Sequence, residues 1–206
     1  IMFVKDKKIL FVHIPKTGGQ SILEFILKNV SSNVDIDNNI EYGLKLNKDL
    51  SSLGPSHYHH MFLSEYYNNN FMKIEDVDSY WKFTILRDPV QRFISAYNFM
   101  ELHQFYQHPL NFVDDFIKIK NKNDKLYRMF CTQSEYVEPQ DKINMYYNMK
   151  NIDDVFKKLI TEFNFKGSTL HKNKSNKIQQ VDDKIESFII DYYAEDFELI
   201  ERKNNV

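Results

Sequence analysis

Pro15-Lys16-Thr17-Gly18-Gly19-Gln20-Ser21 gathers a cation, two adjacent glycines and several short hydrogen-bond donors in one uninterrupted run. Placed between a buried strand and the start of a helix, such a run offers an anion backbone N–H groups and the positive end of the helix dipole. Gly18 and Gly19 let the backbone approach closely, Lys16 adds charge, and Thr17, Gln20 and Ser21 add donors. The chemistry is that of a phosphate cradle. The usual NTPase loop ends in Gly-Lys-Ser/Thr, with the hydroxyl holding magnesium, whereas here the lysine precedes the glycines. That order argues against Mg-nucleotide hydrolysis and asks for another phosphate-bearing ligand. Taken alone, the loop also reads as an ordinary strand-to-helix turn that contains glycines.

A second cluster, Leu86-Arg87-Asp88-Pro89-Val90-Gln91-Arg92-Phe93-Ile94-Ser95-Ala96-Tyr97, holds two of only four arginines in the chain. A guanidinium fork matches phosphate better than an ammonium does, so scarce arginine beside a helix start is informative. Asp88 reads as the helix cap, Pro89 as its first residue and Gln91 as the capping-box partner. Arg92 is equally consistent with binding phosphate and with pairing with an acid on its helix. Between the two clusters lie His57, His59 and His60. Neutral imidazole is the commonest base near pH 7. The competing readings are surface histidines in a loop, or metal ligands. Spacing of i, i+2 and i+3 with the single cysteine far away makes a weak metal set.

These residues need elements to hold them. Residues 9 to 14 are almost continuously apolar and β-branched or aromatic, which predicts a buried strand of a parallel sheet. Ile22, Leu23, Ile26, Leu27 and Val30 then recur at helical spacing. Phe83 to Leu86 predicts a second strand, and Val90, Phe93, Ile94 and Tyr97 stripe a helix expected to reach about Tyr106. Helical periodicity returns at 110–120, 152–163 and, as one or two helices, 183–202. The polar stretch 31–55 carries no sustained period and reads as loop with room for a short helix, 121–150 is rich in Lys, Asn, Tyr and Met and gives no clear element, and both are expected to be excursions from the sheet that carry specificity. Strands alternating with helices predict an α/β layered fold with a mostly parallel sheet.

Length and composition bound the function. The 206 residues suit one domain, and 42% hydrophobic with 27% charged residues is a globular balance. A net charge of −2 provides no global basic field, which speaks against nucleic acid as a partner. The longest apolar runs are far too short to span a bilayer, and the opening residues show no leader pattern. Cys131 is the one cysteine, so neither an internal disulfide nor a cysteine-rich zinc site can form. A soluble, cytoplasmic protein is expected.

The run from Phe11 to Ser21 resembles the 5′-phosphosulfate loop of sulfotransferases that use 3′-phosphoadenosine 5′-phosphosulfate (PAPS), and is most similar to the group containing the heparan sulfate 2-O- and 6-O-sulfotransferases. Leu86 to Tyr97 is similar to that family's 3′-phosphate segment. The resemblance implies a single domain, 1–206, with a three-layer P-loop-like fold and a mostly parallel central sheet flanked by helices. It implies that Pro15 to Ser21 hold the 5′-phosphosulfate, that Lys16 stabilises the leaving group, and that Arg87 and Ser95 bind the 3′-phosphate. His59 aligns with the family's base and His57 with a supporting histidine, His60 being a close competitor. The late run Lys166 to Lys177 is similar to the loop that closes over the nucleotide, which makes Lys172, Lys174 and Ser175 candidates; a solvated basic loop is as good a reading. Lys118, Lys120, Lys122 and Lys125 could attract an anionic acceptor, but a solvated face is the better account. The implied reaction moves a sulfuryl group to an acceptor hydroxyl, on a saccharide or glycolipid, releases adenosine 3′,5′-bisphosphate and needs no metal. A P-loop kinase or NTPase, and a nucleotide-binding module without turnover, are the rival functions.

Overall fold

A computed structural model describes residues 2–4, 7–30, 60–68, 76–168 and 181–204. Four strands form one sheet in the order β1 (Met2–Val4), β2 (Ile9–Val12), β3 (Trp81–Leu86) and β4 (Met145–Asn148). The first pair is antiparallel, with Met2 opposite Phe11. β2 and β3 run parallel, Ile9 facing Trp81, as do β3 and β4, Phe83 facing Met145. Every residue of β2 is buried, which is what a central parallel strand covered on both faces requires.

Alternate residues of β2 and β3 feed two cores. Ile9, Phe11, Phe83 and Ile85 pack against α1 (Gly19–Val30) and against the later helix Ile152–Phe163, α7 in chain order. Leu10, Val12, Ile14 and Leu86 pack on the other face with α2 (Leu63–Asn68), Tyr136 and Leu199. The result is a three-layer α/β fold with three parallel strands, as expected. α3 (Pro89–Phe99), α4 (Pro109–Phe116), α5 (Lys125–Phe130) and α8 (Asp183–Tyr192) surround a third, helical core containing Phe93, Phe112, Phe130 and Ile189. α6 (Gln133–Tyr136) and α9 (Ala194–Asn204) complete the chain. No helix among the described residues is long and apolar enough to cross a membrane.

Two expectations need correction. α3 stops at Phe99 because Glu101 adopts the left-handed region (φ 54°) and a short 3-10 turn follows at Leu102–Gln104. Residues 121–150 are not a loop excursion: they supply α5, α6 and β4, and their Phe130, Cys131, Tyr136 and Val137 are core. The stretch 31–55 lies outside the described residues. The lysines near 120 are solvated, Lys118 pairing with Asp115 at 3.2 Å and Lys122 with Glu135.

Candidate functional site

The chain leaves β2 through His13 and Ile14 and enters a tight loop at Pro15. Lys16 (φ 66°) and Gly18 (φ 86°) both take left-handed backbone, an ordinary state only for the glycine. Thr17, fully buried, closes the loop by donating its hydroxyl to the Ile14 carbonyl at 2.9 Å. α1 begins at Gly19, so its first turn, whose N–H groups find no acceptor within the helix itself, falls on the residues expected to hold an anion. Ser21 is buried and Gln20 exposed.

Gly19 has a reason to be glycine that the sequence did not disclose. A Cβ there would stand 2.4 Å from His13 Cδ2 and 2.7 Å from Phe11 Cζ, both anchored on the strand. Gly19→Ala should therefore force the helix start off the sheet and cost roughly 1–3 kcal/mol, read as a lowered denaturant midpoint in urea; an unchanged midpoint would show that His13 simply moves aside.

His13 itself is buried, stacked on Phe11 at 5.2 Å between ring centroids. Burial above all, helped by the nearby positive charge of Lys16, pushes its pKa down to about 3 from 6.5. Above pH 6.5 the ring is neutral whether folded or unfolded. As pH falls from 6.5 toward 3 only the unfolded chain takes the proton, so stability is lost across that window. Melting temperatures measured from pH 7 to pH 4 should fall, and His13→Phe should remove that part of the slope while pH-independent packing losses remain.

His60 lies beside His13, ring centroids 4.8 Å apart, with Nδ1 3.0 Å from the His13 carbonyl. A carbonyl only accepts, so Nδ1 carries a proton, and in the neutral ring Nε2 then carries the lone pair, the tautomer a base needs. The His60 carbonyl accepts from Arg128 Nη1 at 3.1 Å, and Arg128 pairs with Glu65 at 2.5 Å in a nearly buried site. Of the three clustered histidines, His57 and His59 lie outside the described residues. Among the described residues no group of His, Cys, Asp or Glu is arranged to hold a metal.

β3 delivers the second cluster. Asp88 caps α3 by accepting the Gln91 N–H at 2.9 Å, and Pro89 opens the helix, as expected. Arg87, half-buried where the strand ends, donates Nη1 to the Lys16 carbonyl at 3.0 Å. Its Nε is buried with no hydrogen-bond partner among the described residues, a donor aimed at nothing yet. Burial and, less so, the Arg92 charge lower the Arg87 pKa, Asp88 opposing them. Ser95, half-buried, makes no hydrogen bond through its hydroxyl among the described residues; Phe99, four residues on and on the same helix face, lies under Lys16 with Nζ 3.8 Å from the ring centroid. Burial, then the Arg87 charge, pull the Lys16 pKa below its usual value.

Arg92 corrects an expectation. At 2% exposure it pairs with no acid among the described residues and spends its fork on the chain itself, donating Nε to Pro15, Nη1 to Cys131 and Nη2 to Met129 carbonyls at 3.1, 2.8 and 3.1 Å. It is a strut that ties the loop at Pro15 to the chain after α5. Lys172, Lys174 and Ser175 lie outside the described residues. Sequence reading also passed over Gln133, whose side-chain amide holds both backbone groups of Arg87, and Asp196, which holds Gln133. Polar residues acting across such distances in the chain leave no local pattern to find.

No curated protein and no solved structure matches the chain. The model of the Sulfotransferase family matches residues 1–201, so that both clusters, the sheet that carries them and nearly the whole chain fall within it. The chain belongs to the sulfotransferase family.

Proposed function

We propose that residues 1–206 act as one domain that transfers the sulfuryl group of PAPS to a hydroxyl of a saccharide or glycolipid. The carrying observation is the meeting of the two clusters: the Arg87 guanidinium bonds the Lys16 carbonyl while its buried Nε has no partner. A phosphate accepted there would be joined, through one nucleotide, to a phosphosulfate on the loop that starts at Pro15.

In this reading the backbone from Thr17 to Ser21 binds the 5′-phosphate, and Arg87 and Ser95 bind the 3′-phosphate. The acceptor oxygen attacks sulfur in line as the bond between sulfur and the bridging oxygen breaks. Its proton passes to a histidine of the 57–60 cluster, and Lys16 neutralises the charge left on the departing phosphate. His59 is the assigned base and His57 its support; the Nε2 lone pair of His60 supports His60 as the alternative. Lys172, Lys174 and Ser175 would close over the nucleotide. The chemistry calls for no metal, and the lone cysteine supports a soluble, cytoplasmic setting.

The test is product formation from PAPS with an oligosaccharide acceptor in excess EDTA, for wild type, His59→Ala and His60→Ala. Release of adenosine 3′,5′-bisphosphate matched by sulfated saccharide supports the reading, and the variant that loses about 100-fold or more in turnover identifies the base. Phosphoryl transfer from magnesium-ATP, with none from PAPS, contradicts it.

A further inference from the structure

β3 hydrogen-bonds to β4 only as far as Leu86 opposite Asn148. Arg87 is the next residue, and its backbone N–H and C=O would otherwise lack partners at the end of a parallel ladder. Gln133 provides both. Its Oε1 accepts the Arg87 N–H at 2.9 Å and its Nε2 donates to the Arg87 carbonyl at 2.8 Å, so that one side chain extends the sheet by one residue.

Gln133 is itself held fast. It is fully buried, and the Asp196 carboxylate, also fully buried in the first turn of α9, accepts from it twice: Oδ2 takes the Gln133 backbone N–H at 2.9 Å and Nε2 at 3.3 Å. Oδ1 takes the Ser134 N–H at 2.8 Å. Burying a carboxylate is costly unless its oxygens are satisfied; here Oδ2 is satisfied by the residue that grips Arg87 and Oδ1 by the residue after it. The guanidinium that reaches Lys16 therefore starts from a Cα fixed by a chain of four hydrogen bonds running to the last helix.

Resting on the reading of Arg87 as a 3′-phosphate ligand, we propose that Gln133 and Asp196 are positioning residues that set the preference of the donor site for a 3′-phosphorylated nucleotide. Neither touches the ligand. Each acts through the Arg87 backbone, so its loss should weaken only what the guanidinium binds.

The experiment is calorimetric titration of wild type, Gln133→Met and Asp196→Asn with adenosine 3′,5′-bisphosphate and with adenosine 5′-phosphate, below each variant's melting transition. Gln133→Met keeps the buried volume and removes only the amide's hydrogen bonds. The expected result is about a tenfold fall in the preference for the bisphosphate, with affinity for adenosine 5′-phosphate held within about twofold. In an Arg87→Ala background Gln133→Met should weaken bisphosphate binding no further, because the group it positions is gone. Parallel weakening of both nucleotides, an unchanged preference, or additive losses in the double variant would overturn the proposal and leave Gln133 as a fold element only. Should Gln133→Met fail to fold, Asp196→Asn decides by the same criteria. Absence of any preference in wild type would instead remove the reading of Arg87 itself, and the two failures are told apart by the wild-type titration alone.

Discussion

Lys16→Met is expected to lower turnover about 100- to 1,000-fold while the protein melts near the wild-type temperature, the scale on which one preorganised charge at a leaving group acts. The side chain is only half-buried, and its one described side-chain contact is the ring of Phe99, worth about 0.5–1 kcal/mol at an exposed site. Little stability is at stake. Its chemistry is different: a cation desolvated by the loop and crowded by Arg87 is less comfortable empty than beside a dianionic phosphosulfate. Single-turnover rates measured against donor affinity separate the two contributions. A Lys16→Met enzyme with near-normal turnover and merely weaker donor binding would show that the lysine holds the ground state rather than the transition state.

Arg92→Met is expected to do the reverse, costing about 3–5 kcal/mol of stability, because three buried carbonyls lose a charged donor at once. Domains of this kind have about 5–15 kcal/mol in all, so such a variant stands near the folding threshold. Pro15, Met129 and Cys131 supply those carbonyls, and so the loop that starts at Pro15 loosens together with the turn after α5. Arg92→Lys should recover little, since an ammonium on a flexible stem cannot reach three carbonyls spread around a planar fork. Urea denaturation is the measurement. A loss below about 1 kcal/mol in Arg92→Met, accompanied by loss of nucleotide binding, would return Arg92 to the ligand.

Arg92 also shows where sequence reading stops. It sits one helical turn into a motif whose neighbours are proposed to bind phosphate, and residue type and spacing are the same whether the guanidinium caps phosphate or carbonyl oxygens. Only its burial distinguishes them. By contrast, β2 with its loop and α1, and β3 with the Asp88 cap and α3, were legible because each is specified by adjacent residues: an apolar run, a Pro or Gly break, a helical stripe. α7 matched its expected span, 152–163, for the same reason. β4 was not legible. Met145-Tyr146-Tyr147-Asn148 is at best half-buried, lies in a stretch rich in Lys and Asn, and becomes a strand because β3 offers it an edge. Gln133 and Asp196 needed contacts 46 and 63 residues distant to acquire meaning.

The most direct test of the central claim is calorimetric titration with adenosine 3′,5′-bisphosphate, adenosine 5′-phosphate and magnesium-ATP, for wild type and Arg87→Ala. The account predicts that wild type prefers the bisphosphate, without magnesium, and that Arg87→Ala erases the preference by weakening the bisphosphate about 10- to 100-fold while leaving adenosine 5′-phosphate almost unchanged. Equal binding of the two adenosine nucleotides by wild type, or tighter binding of magnesium-ATP, would contradict it.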